Sequence, residues 1–253
     1  MPLEIRQFAC LSDNYGYLIR DSASGKTAAI DTPDAEAVLA ALKDAGWGLD
    51  YIFNTHWHPD HAGGNAAVKA ATGCEIIGPQ EVTRIAPLDR VVQGGDTVAL
   101  GETAFQVIDT KGHTAGHVSY YAKSAGAAFV GDTLFALGCG RLFEGTPETM
   151  WESLSRLAAL PAETQVYCAH EYTASNARFA LSVDTSPELK TRAEAVFAAR
   201  ERGEWTVPTS IGAERAANPF LRAPQLAPGL GLAGVSDAEA FAAVRQAKDE
   251  FKG

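Results

Sequence analysis

Cysteine is scarce in this 253-residue chain, and the four present, Cys10, Cys74, Cys139 and Cys168, lie far apart with no C-x-x-C pair. That spacing excludes a thiolate zinc knuckle and a disulfide framework, and it suits a reducing compartment. Basic charge is also in short supply, with 21 Lys plus Arg against 31 Asp plus Glu and a net charge of -10. Too little positive surface remains to neutralise a phosphate backbone, so no nucleic acid is expected as a partner. No apolar run reaches the roughly 18 residues of a membrane span, and the first residues lack a basic segment followed by an apolar stretch. A soluble cytoplasmic protein with no membrane partner is the expectation. What is there is a globular composition, 46% apolar and 21% charged, long enough for one large α/β domain or a core with a smaller second domain.

The first two-thirds alternate short β-rich runs with turns and helical patterns. Strands are expected around Tyr17–Ile19, Ala28–Ile30, Tyr51–Phe53, Glu75–Ile77, Phe105–Ile108, Val118–Tyr121, Ala128–Val130 and Val166–Cys168, enough for two sheets. Ala35–Ala45 reads as a helix, and Thr146-Pro147 supplies a cap and first-turn proline for another carrying Met150, Leu154 and Leu157. After about Val183 the chain turns to Ala, Glu, Arg and Pro with no convincing strand. A helix is expected near Pro187–Arg202, an irregular stretch at Trp205–Gly234, and a last helix opened by the capping box Ser236-Asp237-Ala238-Glu239. The expected division is a catalytic domain over 1–173 and a helical annex over 174–253.

Histidine is rare too, yet three of the six fall in Thr55-His56-Trp57-His58-Pro59-Asp60-His61. This run follows the apolar Tyr51-Ile52-Phe53 and so lies at a strand end, where α/β proteins place ligands. An extended backbone projects His56 and His58 to one side and Trp57 to the other; Pro59 then bends the chain and lets Asp60 and His61 reach a neighbouring position. Four such donors exceed the three that one open catalytic metal takes, which points to two metals. The other histidines lie in Gly112-His113-Thr114-Ala115-Gly116-His117 and Ala169-His170-Glu171, and Asp132 follows a strand in the same way. A carboxylate between two cations offsets their repulsion, and Asp132 is the candidate for that place.

These motifs, taken in order, resemble those of the metallo-β-lactamase superfamily, which implies an αββα sandwich, here with a C-terminal helical annex. Gly131-Asp132-Thr133-Leu134-Phe135, Gly138-Cys139-Gly140-Arg141, His170-Glu171-Tyr172-Thr173, Asn218-Pro219-Phe220-Leu221-Arg222 and Arg245-Gln246-Ala247-Lys248-Asp249 further resemble the glyoxalase II (hydroxyacylglutathione hydrolase) family. The resemblance implies a thioesterase that converts S-D-lactoylglutathione and water to glutathione and D-lactate in methylglyoxal detoxification.

It implies that His56, His58 and His113 hold one metal, that Asp60, His61 and His170 hold a second, and that Asp132 bridges. The catalytic group is then a bridging hydroxide held with Asp60 and Asp132, since one zinc already brings bound water to a pKa of about 7. By the same resemblance the first histidine of its motif, His113, is the ligand, His117 supports the site or packs the strand, and Asp31 at an earlier strand end has a supporting or structural role. Arg141, Tyr172, Arg245 and Lys248 are implied to bind substrate, with Phe143 where many relatives carry Tyr. Two divalent ions are expected, zinc first, with iron or manganese equally suited to nitrogen and oxygen ligands. The expected partner is a small glutathione thioester and the expected state a monomer. The alternative is a glutathione persulfide dioxygenase of the same superfamily, against which the complete second ligand set and the C-terminal Arg-x-x-Lys argue.

Overall fold

The structure, a computed structural model, describes residues 3–252. It divides into two compact units, one spanning Met1–Thr110 and Thr114–Gly131, the other Lys111–His113 and Asp132–Gly253.

The first unit contains strands β1 (Leu3–Cys10), β2 (Asn14–Asp21), β3 (Thr27–Ile30), β4 (Tyr51–Phe53), β5 (Glu75–Gly78), β6 (Arg90–Val91), β7 (Thr97–Leu100), β8 (Thr103–Asp109), β9 (Val118–Ala122) and β10 (Ala127–Gly131). Its helices are α1 (Ala35–Ala45), α2 (Pro59–Ala62) and α3 (Asn65–Thr72). Six strands form one sheet in the order β1 to β6, antiparallel across β1–β2–β3 and parallel from β3 to β6. A parallel pair needs a crossover, and α1 and α3 supply it. Asp34 caps α1 by accepting from the Glu36 and Ala37 amides, and Gly46 ends it in the left-handed region. Val38 and Leu42 of α1 and Val68 of α3 pack on Leu18, Ala29, Ile52 and Ile76 of the sheet.

Strands β7 to β10 form an antiparallel meander. The two sheets of this unit meet through aromatic rings: Phe53 lies 5.7 Å from Phe105 and 5.4 Å from Tyr120, and Tyr17 lies 5.7 Å from Phe129. Each such side chain, fully buried, contributes roughly 1.5–3 kcal/mol. The eight expected strands all form. Strand β1 was not expected, because it is a half-exposed edge whose apolar residues alternate with Glu4, Arg6 and Gln7.

The second unit holds the two-residue strands β11 (Leu134–Phe135) and β12 (Gly138–Cys139), then α4 (Pro147–Ala158), β13 (Gln165–Cys168), α5 (Thr173–Val183), α6 (Pro187–Glu201), β14 (Thr209–Ser210), α7 (Ile211–Ala217), α8 (Ala223–Leu226) and α9 (Asp237–Glu250). Leu137, Ala177, Ala180, Leu189, Ala193 and Ala217 form one core cluster. Phe241 anchors α9 against Phe220 and Trp151, both at 6.2 Å. The capping box at Ser236 forms in full. The stretch 205–234 departs from expectation, since it contains β14, α7 and α8. These elements are too short to show a period, and β14 exists through its pairing with β13.

Candidate metal centre

In the first unit β3 and β4 run parallel, so their ends deliver Asp31 and the His56 loop to the same edge. Asp31, at φ 58, accepts from the Thr55 amide at 2.8 Å and hydroxyl at 2.7 Å, and it meets His61 Nδ1 at 2.8 Å. Its carboxylate thereby fixes which ring nitrogen of His61 faces outward, the usual way a protein orients a ligating imidazole. Pro59 occupies the first helical position of α2, so the expected bend is a helix start that carries Asp60 and His61. Asn14, buried at the start of β2, donates to both the backbone oxygen of Asp60 (3.2 Å) and its carboxylate (3.3 Å). His56 Nε2 and His58 Nδ1 lie 3.1 Å apart. Two donors on one tetrahedral ion at about 2.0–2.1 Å stand about 3.4 Å apart, close to this separation.

His117 is fully buried in the same unit, stacked on His56 at 4.8 Å, with Nδ1 2.9 Å from Thr110 Oγ1. Gly131 is required beside it: at φ 48, a Cβ there would lie 2.6 Å from Thr55 Oγ1 and 2.7 Å from His117 Nε2. Glu81, whose role the sequence did not show, accepts from the Thr114 hydroxyl and the Gly116 amide at 2.5 and 2.6 Å. It pins the backbone that follows His113.

The second unit brings together His113, Asp132 and His170. Asp132 Oδ2 lies 3.4 Å from His113 Nε2, and Oδ1 lies 3.4 Å from His170 Nε2. One carboxylate thus offers a different oxygen to each of two imidazoles. His113 Nδ1 donates to the Arg141 carbonyl at 2.8 Å, which leaves Nε2 to face Asp132. His170 stacks on Tyr172 with ring centroids 4.8 Å apart and planes 2° from parallel.

Asp132 precedes and Arg141 follows the β11–β12 hairpin, whose turn is held by side chains of the annex helices. Asn218 donates to the Phe135 and Gly138 carbonyls at 3.2 and 2.9 Å, Asn176 donates to the Ala136 carbonyl at 3.1 Å, and Glu214 accepts from the Leu137 amide at 2.8 Å. Glu214 is itself fully buried and held by Arg192 and Thr209. Asn218 belongs to the Asn-Pro-Phe motif, so the signal was visible but its meaning was not.

Arg141, Phe143, Arg245, Gln246 and Asp249 line a cavity of about 550 Å³ in this unit. Phe143 is exposed and turns its ring toward His113 at 5.2 Å. Lys248, three residues beyond Arg245, does not line this cavity; its Nζ donates to Ser175 and stands 5.4 Å from the Phe179 ring. Burial, with the Arg245 and Arg141 charges nearby, lowers the Lys248 pKa.

The imidazole and carboxylate donors within each unit, with an outer ring nitrogen engaged by Asp31 in one and by the Arg141 carbonyl in the other, suit divalent metal ions. Residues 16–170 match the family model of the metallo-beta-lactamase superfamily and residues 171–251 that of the hydroxyacylglutathione hydrolase C-terminus. The chain therefore belongs to the metallo-β-lactamase superfamily, in the branch that carries the hydroxyacylglutathione hydrolase C-terminus. It is 55% identical to the hydroxyacylglutathione hydrolase of Erythrobacter litoralis, over 98% of this chain and 100% of that one. Among solved structures it is similar to ETHE1 from Myxococcus xanthus (TM-score 0.69, 29% identity, 96% of this chain and 90% of that one). It is also similar to TTHA1623 in a di-iron-bound form (TM-score 0.62, 26% identity, 86% and 100%). The fold is thus the expected α/β metallo-β-lactamase fold.

Proposed function

We propose that this chain hydrolyses S-(2-hydroxyacyl)glutathione thioesters, S-D-lactoylglutathione among them, to glutathione and a 2-hydroxy acid. In this reading His56, His58 and His113 would hold one divalent cation, Asp60, His61 and His170 would hold a second, and Asp132 would serve both. The observation that carries it is the Asp132 carboxylate, with its two oxygens each 3.4 Å from a different histidine. When bound, two such cations supply charge that stabilises a developing oxyanion and lowers the pKa of water. Zinc fits this nitrogen and oxygen set, as iron and manganese do.

The protein's own groups supply orientation. Asp31 and the Arg141 carbonyl fix the tautomers of His61 and His113, and Asn14 fixes Asp60. Arg141 and Arg245 face a cavity suited to glutathione carboxylates, and Tyr172, stacked on His170, would lie against the sulfur end. Lys248 would add positive charge beyond the cavity. Phe143 offers an apolar wall and no hydroxyl. The leaving group is a thiol of ordinary pKa about 8.5, so it departs as thiolate without a strong general acid. The C-terminal match and the hydrolase relative favour this reading over a persulfide dioxygenase. A monomeric, cytoplasmic enzyme belongs to the same proposal; among the described residues no helix is long and apolar enough to cross a membrane.

The test is loss of thioester absorbance with S-D-lactoylglutathione, run beside elemental analysis. Turnover with close to two metals per chain, abolished by chelation and restored by added metal, is expected. Full activity in a verified metal-free sample would overturn the reading.

A further inference from the structure

Arg245 is a constrained cation. It is 7% exposed, and its guanidinium lies 5.0 Å over the Phe220 ring. Nη1 donates to the Cys139 carbonyl at 3.1 Å, and Nε is buried with no hydrogen-bond partner. The remaining nitrogen, Nη2, donates to Asp249 Oδ1 at 2.8 Å. The same oxygen lies 3.9 Å from Nε of Arg141. Asp249 is the one acidic residue among the described residues that line the cavity, and its side chain is about half exposed, at 49%. A single carboxylate oxygen therefore faces both cavity arginines.

We propose that Asp249 is a built-in stand-in for a ligand carboxylate, one that an incoming glutathione carboxylate must displace or share, so that it weakens anion binding and sets how readily glutathione leaves. This deepens the proposed function and rests on it. Two cations, Arg141 and Arg245, converge on the same carboxylate oxygen, and repulsion between them disfavours the free protein unless a counter-charge is present. Asp249 supplies that charge. A ligand carboxylate then gains only the difference between its own contacts and those of Asp249, and it meets Asp249 as a like charge. Because the displaced group remains tethered one turn away on the same helix, it is ready to retake Nη2 as the product departs.

Asp249→Asn removes the charge and keeps the size, at an exposed position near the end of α9. KM for the glutathione thioester and the dissociation constant of glutathione, measured directly by calorimetry, should both fall about three- to tenfold. Asp249→Glu, which keeps the charge, should stay within about twofold of the unaltered protein. Unchanged or weaker glutathione binding in Asp249→Asn would overturn the inference, showing Asp249 to be either a bystander or an orienter of Arg245. The unaltered protein separates the two levels: if it neither binds glutathione nor turns over the thioester, the functional reading itself fails.

Discussion

In the first unit four candidate ligands, His56, His58, Asp60 and His61, come from one short loop and are braced by side chains at the starts and ends of neighbouring strands, Asn14 and Asp31. In the second unit His113, Asp132 and His170 come from three separate segments. Their bracing is mostly backbone: the Arg141 carbonyl for His113, and for Asp132 a hairpin whose turn is held by Asn176, Glu214 and Asn218. The local set depends on a few contacts inside one sheet. The dispersed set depends on helices of the C-terminal annex, which hold the hairpin next to Asp132. Damage far from any ligand should therefore reach metal binding through the second unit more readily than through the first.

The largest effect is expected at the centre of the dispersed set. Asp132→Ala removes both oxygens that face His113 and His170. Losing an outer-shell partner of a ligand costs about 10–100-fold, so losing the shared carboxylate should lower turnover more than about 100-fold. Metal content should fall toward one ion per chain or fewer, read by elemental analysis of gel-filtered protein. Retention of two ions with near-normal turnover would remove Asp132 from its bridging place and with it the contrast between the sets.

A smaller effect should follow from Asn218→Ala, which leaves ligands and cavity side chains untouched. It deprives the Phe135 and Gly138 carbonyls and Glu214 of a buried donor. Unmet buried acceptors cost about 1–3 kcal/mol each, so a loss of about 3 kcal/mol in stability is expected, read from the denaturant midpoint. Metal content should drop as well, because the same hairpin carries Asp132. A destabilised variant that keeps its full metal complement would confine the annex to stabilising the fold.

The same contrast explains what the sequence could show. The His56–His61 cluster was legible because its residues are adjacent and follow an apolar run, and eight strands were legible because apolar residues gather in them, whereas β1, whose apolar residues alternate with Glu4 and Arg6, was not. The hairpin, β14 and α7 were not, since the two-residue strands and the seven-residue helix are too short to show a period and the strands exist only through their pairing. Asn14, Glu81 and Asn218 escaped as bracing residues for a related reason. An Asn beside Asp13 and Tyr15 reads as a turn residue, and only the folded chain shows that its amide meets Asp60. Arg245 and Lys248, three apart on one helix, read as an equivalent pair; the fold buries one in the hairpin's hydrogen bonds and leaves the other on a separate aromatic surface.

The smallest effect sharpens the comparison from the other side, by weakening the first unit away from its ligands. Asp21, buried at the end of β2, accepts from the Ser24 hydroxyl at 2.7 Å and amide at 2.9 Å, from the Thr103 hydroxyl at 2.7 Å and from the Glu102 amide at 3.3 Å. It ties one sheet of the first unit to the β7–β8 turn of the other. The Ser24 and Thr103 hydroxyls, followed by the amides, hold its carboxyl well below the usual carboxylate range. A group whose folded pKa is depressed contributes its stability above the unfolded value of about 4, and loses it progressively as pH falls from there toward the folded value. Asp21→Asn should therefore cost about 1–3 kcal/mol at neutral pH, and the gap in melting temperature between variant and parent should narrow below about pH 4. Metal content at neutral pH should be unchanged, because neither Asp31 nor Asn14 depends on Asp21. A gap that stays constant down to pH 3 would mean that the charge of Asp21 contributes nothing and that only its shape matters. Loss of metal in Asp21→Asn would show the local set to be as sensitive to remote damage as the dispersed one.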